Sequence, residues 1–160
     1  MDMKSILFLI AITALMIGGA YASSSDFKVS TDYTNAHKGE YYSLYMNDNQ
    51  DSGITIYKNV DEDAYDGLDS TDAHEGIIRE DGRDYLSPDD DFKVDAKSDN
   101  ITEFKDLDHA EHGAVELVKK GSDEYIVVFW AKDTSSVKNS DLNSALKEFN
   151  KDNGLEAIAF

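Results

Sequence analysis

Tyr125-Ile-Val-Val-Phe-Trp130, followed ten residues later by Asp141-Leu-Asn-Ser-Ala-Leu-Lys-Glu-Phe-Asn-Lys-Asp-Asn-Gly154, decides the fold. The first stretch is an unbroken apolar run rich in β-branched and aromatic side chains. That composition predicts a strand covered on both faces and central in its sheet. In the second, Leu142, Ala145, Leu146 and Phe149 fall at i, i+3, i+4 and i+7, which is one face of a helix. Ser140 is the predicted N-cap. Asp141 sits at the positive end of the helix dipole, and Lys147 and Lys151 lie toward the negative end. Asn153-Gly154 supplies the stop.

The neighbouring sequence extends this unit in both directions. Ala114-Val-Glu-Leu-Val118 reads as a strand, and Lys120-Gly-Ser-Asp123 as the turn that leads into Tyr125–Trp130. Leu155-Glu-Ala-Ile-Ala-Phe160 reads as a terminal strand. A helix joining two strands of one sheet crosses over right-handedly and has to lay its apolar face on that sheet. Residues 92–160, opened by a strand at Phe92-Lys-Val94, therefore form a strand–hairpin–helix–strand unit. Toward the N-terminus, Phe27-Lys-Val29 is a candidate first strand. Tyr41-Tyr-Ser-Leu-Tyr-Met46 and Ile54-Thr-Ile-Tyr57 read as a hairpin around the turn-rich loop Asn47–Gly53. The predicted class is α+β, with an antiparallel or mixed β-sheet, a docked C-terminal helix and a final C-terminal strand. Asp26-Phe-Lys-Val29 recurs as Asp91-Phe-Lys-Val94. His74-Glu-Gly-Ile-Ile78 and Glu111-His-Gly-Ala-Val115 resemble each other at a different offset, so the repeats do not add up to a duplication.

The first 22 residues have the layout of a signal peptide. Lys4 gives a positive start, Ile6–Ile17 is an apolar run, and Ala20-Tyr-Ala22 is a small-x-small cleavage site. An uncleaved anchor is the competing reading. A spanning helix needs about 20 apolar residues, whereas this run is shorter, contains Thr13 and ends at Gly18-Gly19. Cleavage after Ala22 leaves one domain, residues 23–160, outside the cytoplasm, secreted or at the cell surface, with no membrane insertion. There is no cysteine, so disulfides, thiolate metal sites and cysteine nucleophiles are excluded.

The formal net charge is −18, and the acids are mostly aspartate. Such a surface repels phosphate backbones and anionic lipid, which excludes nucleic acid as a natural partner. It attracts divalent cations and basic protein surfaces. The charge is concentrated in residues 59–91, which hold 13 acids against Arg79 and Arg83. Clustered carboxylates are the ligands of Ca²⁺, so Asp61, Asp63, Asp66, Asp69 and Asp72 are candidate cation ligands. No EF-hand register fits. Starting at Asp48 brings Asn59 to the position of the bidentate Glu, and starting at Glu62 brings Ala73 there. Any Ca²⁺ binding is therefore expected to be weak, and the same composition also describes a solvated acidic loop. Within that segment, Ile77-Ile78 and Tyr85-Leu86 around Asp81-Gly82 read as a small hairpin.

Two other places could carry chemistry. His109-Ala-Glu-His112 sets two imidazoles at i, i+3 beside Asp108 and Glu111, a candidate metal site if a helical turn forms there, although Gly113 argues against one. Asn100-Ile-Thr102 is a glycosylation acceptor triplet. Tyr41, Tyr42, Tyr45 and Tyr57 are read as core and cross-strand pairs rather than as a ligand face. No nucleophile elbow and no glycine-rich phosphate loop is present. These features favour an exported, non-enzymatic acidic protein that binds divalent cations or a basic partner. The alternative is a small extracellular hydrolase, or a hydrolase inhibitor, working through carboxylates that the sequence does not single out.

Overall fold

The computed structural model describes residues 27–39, 42–58, 92–107 and 109–158. The signal segment 1–22, the acidic stretch 59–91 with its predicted hairpin and its candidate aspartates, and Tyr41 lie outside the described residues.

The Tyr125–Trp130 run is the middle of a ten-residue strand, β7 (Asp123–Lys132). It is the fourth of seven consecutive strands in the order β1-β2-β3-β7-β6-β5-β4. These are β1 (Asn35–Lys38), β2 (Tyr42–Met46), β3 (Ser52–Lys58), β4 (Phe92–Ser98), β5 (Ile101–Asp106) and β6 (Glu111–Lys120). A short eighth strand, β8 (Glu156–Ala157), pairs with β6 beyond the end of β5. Every pairing among the described residues is antiparallel. The molecule is thus mostly antiparallel sheet with one C-terminal helix, α1 (Asn139–Asp152).

β7 is apolar throughout because both of its faces are covered. Tyr125, Val127, Phe129 and Ala131 point to the helix side, where Leu142, Leu146, Phe149 and Leu155 meet them with Ile54, Ile56, Ile101, Ala114 and Val118. Ile126, Val128 and Trp130 point the other way and join Leu44, Tyr57, Phe104, Val115 and Leu117. Burying each large apolar side chain is worth about 1.5–3 kcal/mol, so two such layers supply the core without staples. Ile158 packs on the second face.

The loop between β2 and β3 is shorter than its sequence suggests. Asn47 closes it, accepting hydrogen bonds from the Asp51 and Ser52 amides and donating to the Asp51 carboxylate. Ser52 and Gly53 already belong to β3. At the other end of β3, Lys58 lies beside Tyr125, whereas β4 starts at Phe92 beside Asp106. Residues 59–91 therefore join opposite ends of two strands that run in the same direction, four places apart in the sheet.

The helix agrees with its sequence except at its start. Lys138, not Ser140, is the N-cap, and the Asp141 carboxylate accepts the Lys138 amide. Asp141 complements the helix dipole by its charge and closes the first turn by this hydrogen bond as well. At the far end Asn153 is the cap and Gly154 takes φ 63°, the left-handed conformation that ends a helix. β7 and β8 flank β6 on opposite sides and run parallel to each other, so the helix is their crossover.

Phe27–Val29 is not a strand. Its apolar side chains pack on the helix side of the core. Its backbone bonds to a side chain: the Lys28 amide donates to Asn153 Oδ1 at 2.6 Å, and the Lys28 carbonyl accepts from Asn153 Nδ2 at 3.0 Å. A side-chain amide has the same donor and acceptor as a peptide unit, so Asn153 substitutes for a strand neighbour. Phe27 stacks edge-on against Tyr125 and lies beside Phe149.

Candidate functional site

The best-defined group of ionisable side chains lies where β5 turns into β6. Asp106 closes β5, Glu111 opens β6 and Lys132 closes β7, and the register sets the three side by side across the sheet. Their side chains share the face that carries Phe104 and Trp130. Asp106 organises the turn: Oδ1 accepts the His109 amide at 3.0 Å, and Oδ2 lies 2.9 Å from His109 Nδ1. Ala110 takes φ 51°, a conformation that costs energy for a residue with a Cβ. Its carbonyl is held by the Asp133 amide at 2.8 Å.

Glu111 is 1% exposed and ion-paired to Lys132. Burial pushes its carboxyl above the ordinary carboxylate range. Lys132 opposes this, Asp106 adds to it and His109 opposes it more weakly. The Lys132 ammonium also lies 5.9 Å from the Trp130 ring centroid. The arrangement keeps two carboxylates at the end of an apolar face, each with a basic partner.

The two histidines of the candidate metal pair go to different partners. His109 is in the turn with Asp106. His112 is in β6, one residue past the register of Glu111 and so on the opposite face, its Nδ1 3.0 Å from Asp133 and its Nε2 2.7 Å from the Val137 carbonyl. Both ring nitrogens of His112 are thereby occupied, and the ring fastens the segment that leads into the helix. The helical turn that would have aligned the two imidazoles is a tight turn followed by a strand. Among the described residues no group of three or more His, Cys, Asp or Glu is disposed to hold a metal ion. Asp61, Asp63, Asp66, Asp69 and Asp72 are not among those residues. Asn100 is exposed, in the two-residue turn between β4 and β5 beside Asp99 at φ 54°. Among the described residues no helix is long and apolar enough to cross a membrane.

A second polar set ties α1 to the sheet and its C-cap to the segment Phe27–Val29. Asn139 donates to the Phe104 carbonyl, Asn143 to Ser98 and Glu103, Asn150 to Glu116, and Asn153 to Lys28 and Phe149. The spacing of these asparagines, 4, 7 and 3, keeps them in one stripe beside the leucines, a periodicity legible in the sequence. The Asp106–Glu111–Lys132 row had no such signal, because its members meet only through strand register.

No protein-family model matches the sequence, and comparison with curated proteins finds no match.

Proposed function

We propose that this chain is an exported or cell-envelope-associated, non-enzymatic acidic protein that binds divalent cations or a basic partner surface. The observation that carries the reading is the charge distribution: residues 59–91 account for −11 of the net −18. The described body supports it in a second way. Its buried polar side chains engage one another, as in Asp106–His109, Glu111–Lys132 and Glu116–Asn150, which suits a scaffold. The α+β class, with β8 as the closing strand, goes with this reading, as do secretion and use of Asn100 for glycosylation.

Without an EF-hand register, Ca²⁺ affinity should fall in the ~10⁻⁴–10⁻³ M range of extracellular modules. At ten times Kd, linkage then stabilises the fold by about 1.4 kcal/mol, a rise of several degrees in Tm. Melting with CaCl₂ or MgCl₂ is to be compared with NaCl at matched ionic strength, because screening relieves the same repulsion. A shift with CaCl₂ beyond that with NaCl supports coordination. Equal shifts reduce the segment to a solvated acidic loop.

One observation favours the alternative, a small extracellular hydrolase. Buried Glu111 with its raised carboxyl pKa, next to the Asp106–His109 pair and the strained Ala110, is the sort of arrangement that supplies a general acid. Hydrolysis of a glycoside or ester substrate that disappears in a folded Glu111→Gln variant would establish it.

A further inference from the structure

Between α1 and β6 lies a pair of side chains whose hydrogen bonding is complete only with one more proton. Glu116 projects from β6 on the helix side, between the fully buried Ala114 and Val118. Asn150 comes down from the last turns of α1, next to Phe149. The two residues are 7% and 8% exposed. Asn150 Nδ2 donates to Glu116 Oε2 at 2.5 Å. Asn150 Oδ1 is equally buried and has no hydrogen-bond partner.

An ionised carboxylate only accepts hydrogen bonds, whereas a protonated carboxyl has one O–H to donate. With Glu116 ionised, the amide oxygen of Asn150 has no donor opposite it and a charge is held in an apolar contact. With Glu116 protonated, the acid O–H has Asn150 Oδ1 to donate to while its other oxygen receives Nδ2–H. One proton removes the buried charge and pairs the orphan oxygen together. The site favours the neutral acid: burial raises the carboxyl pKa, Asn150 and Lys147 oppose the rise, and Asp99 adds to it. Ionisable groups on the elements packed around it include Lys147, Glu148, Lys151 and Asp152 on α1, Lys119 on β6 itself, Asp99 in the β4–β5 turn and Glu103 on β5, with Tyr125 on β7, Glu156 on β8 and Lys28 in the segment that Asn153 holds. Lys147 is itself paired to Asp99 at 3.6 Å, and Glu103 is held by Asn143.

We propose that Glu116 and Asn150 are a proton-operated latch between the sheet and the C-terminal helix, closed when Glu116 is protonated and weakened when it ionises. The latch controls more than the helix. Asn153, three residues on, holds both backbone groups of Lys28, and Phe149 carries the ring of Phe27. Loosening the last turn of α1 therefore loosens the arm Phe27–Tyr33. Below the Glu116 titration the arm is docked, and above it the arm opens more often.

Two measurements on the full chain test this. The first follows the side-chain carboxyl carbons by NMR between pH 4 and 8. Glu116 should titrate above the ordinary carboxylate range. The second is amide exchange at Lys28, corrected for intrinsic base catalysis. Its opening equilibrium should rise with pH through the Glu116 titration, by up to about tenfold for each unit of displacement. Glu116→Gln carries a donor and an acceptor at every pH, so it should keep the arm protected and abolish that rise. Glu111→Gln, which alters the other buried glutamate on the opposite face, should leave the rise in place. Titration of Glu116 within the ordinary carboxylate range overturns the proposal, as does a Glu116→Gln variant whose Lys28 exchange still follows the wild-type pH profile. The wild-type titration and the wild-type Lys28 exchange, which must rise together with pH, decide the matter even if the variant does not fold.

Discussion

Single residues in this sheet are held to narrow tolerances, and two glycines show it best. Phe104, Gly113, Trp130 and Gly53 lie in one register row across β5, β6, β7 and β3. Each glycine leaves room for the ring beside it. A Cβ on Gly113 would run into the Phe129 carbonyl and come within 2.7 Å of the Phe104 ring. One on Gly53 would stand 2.6 Å from the Tyr45 carbonyl and 2.7 Å from Trp130. Gly113→Ala should cost about 1–3 kcal/mol or more, since backbone has to move. Gly121, in the β6–β7 turn at φ 64° with open space around it, is the control, because alanine there suffers only the left-handed conformation, about 1–2 kcal/mol. Urea unfolding of the two variants measures the difference, and equal losses would mean that the row is not tightly packed.

The Glu111–Lys132 pair is the other residue-scale test. Removing the base alone, as in Lys132→Met, leaves a buried carboxylate with its main counter-charge gone. A fully buried pair broken this way costs about 3–5 kcal/mol. Lys132 is 40% exposed, so about 1–3 kcal/mol is expected after solvent screening. Adding Glu111→Gln to it should recover most of the loss. The glutamates also set the pH dependence. Glu111 and Glu116 both have carboxyl pKa values raised by folding. Their contribution to stability is fully present below the ordinary carboxylate range and is lost as pH rises through the raised folded values. Denaturant midpoints should therefore fall over the interval just above the ordinary carboxylate range, and Glu111→Gln should flatten part of that slope. A midpoint that climbs over this interval would contradict the assignment.

At the scale of elements, the helix is attached in two chemically different ways. Leu142, Leu146 and Phe149 attach it by burial, and Asn139, Asn143 and Asn150 attach it by hydrogen bonds. Phe149 touches both the sheet, through Phe129, and the arm, through Phe27. Phe149→Ala should cost ~3–5 kcal/mol, the range for a buried ring. It should also raise exchange at Lys28 before global unfolding. A loss below 1 kcal/mol would make the helix peripheral. Two elements had weak sequence signals. β1 is short and polar, Asn35-Ala-His-Lys38, and β5 begins at the glycosylation triplet and carries Glu103, Lys105 and Asp106. Each becomes a strand because a neighbour offers a ladder: β2 to β1, and β4 and β6 to β5. Conversely, Phe27–Val29 has strand composition but finds an asparagine side chain in place of a ladder.

At the scale of the molecule, the acidic charge and the proposed export set the expectations. A mature chain beginning at Ser23 puts only a few residues between the cleavage point and Phe27, where the arm packs on the core. Mass spectrometry of the exported protein should find Ser23 at the N-terminus. A chain retaining Met1 and sedimenting with membranes would show an anchor instead. The amino-acid sequence by itself determined what depends on local periodicity and composition. The 125–130 strand, the 142–149 helix face, the turn at Gly121, the stop at Gly154 and the acidic balance are all of this kind. Tertiary structure alone decided what depends on register between distant segments: the all-antiparallel order, the row of rings over glycines, the Asp106–Glu111–Lys132 line, the separation of His109 from His112, and the Glu116–Asn150 contact. The reason is physical. Periodicity is a property of adjacent residues and survives in one dimension. A side chain's partner, its burial and the affinity for protons that follows from them exist only once strands far apart in the chain lie side by side.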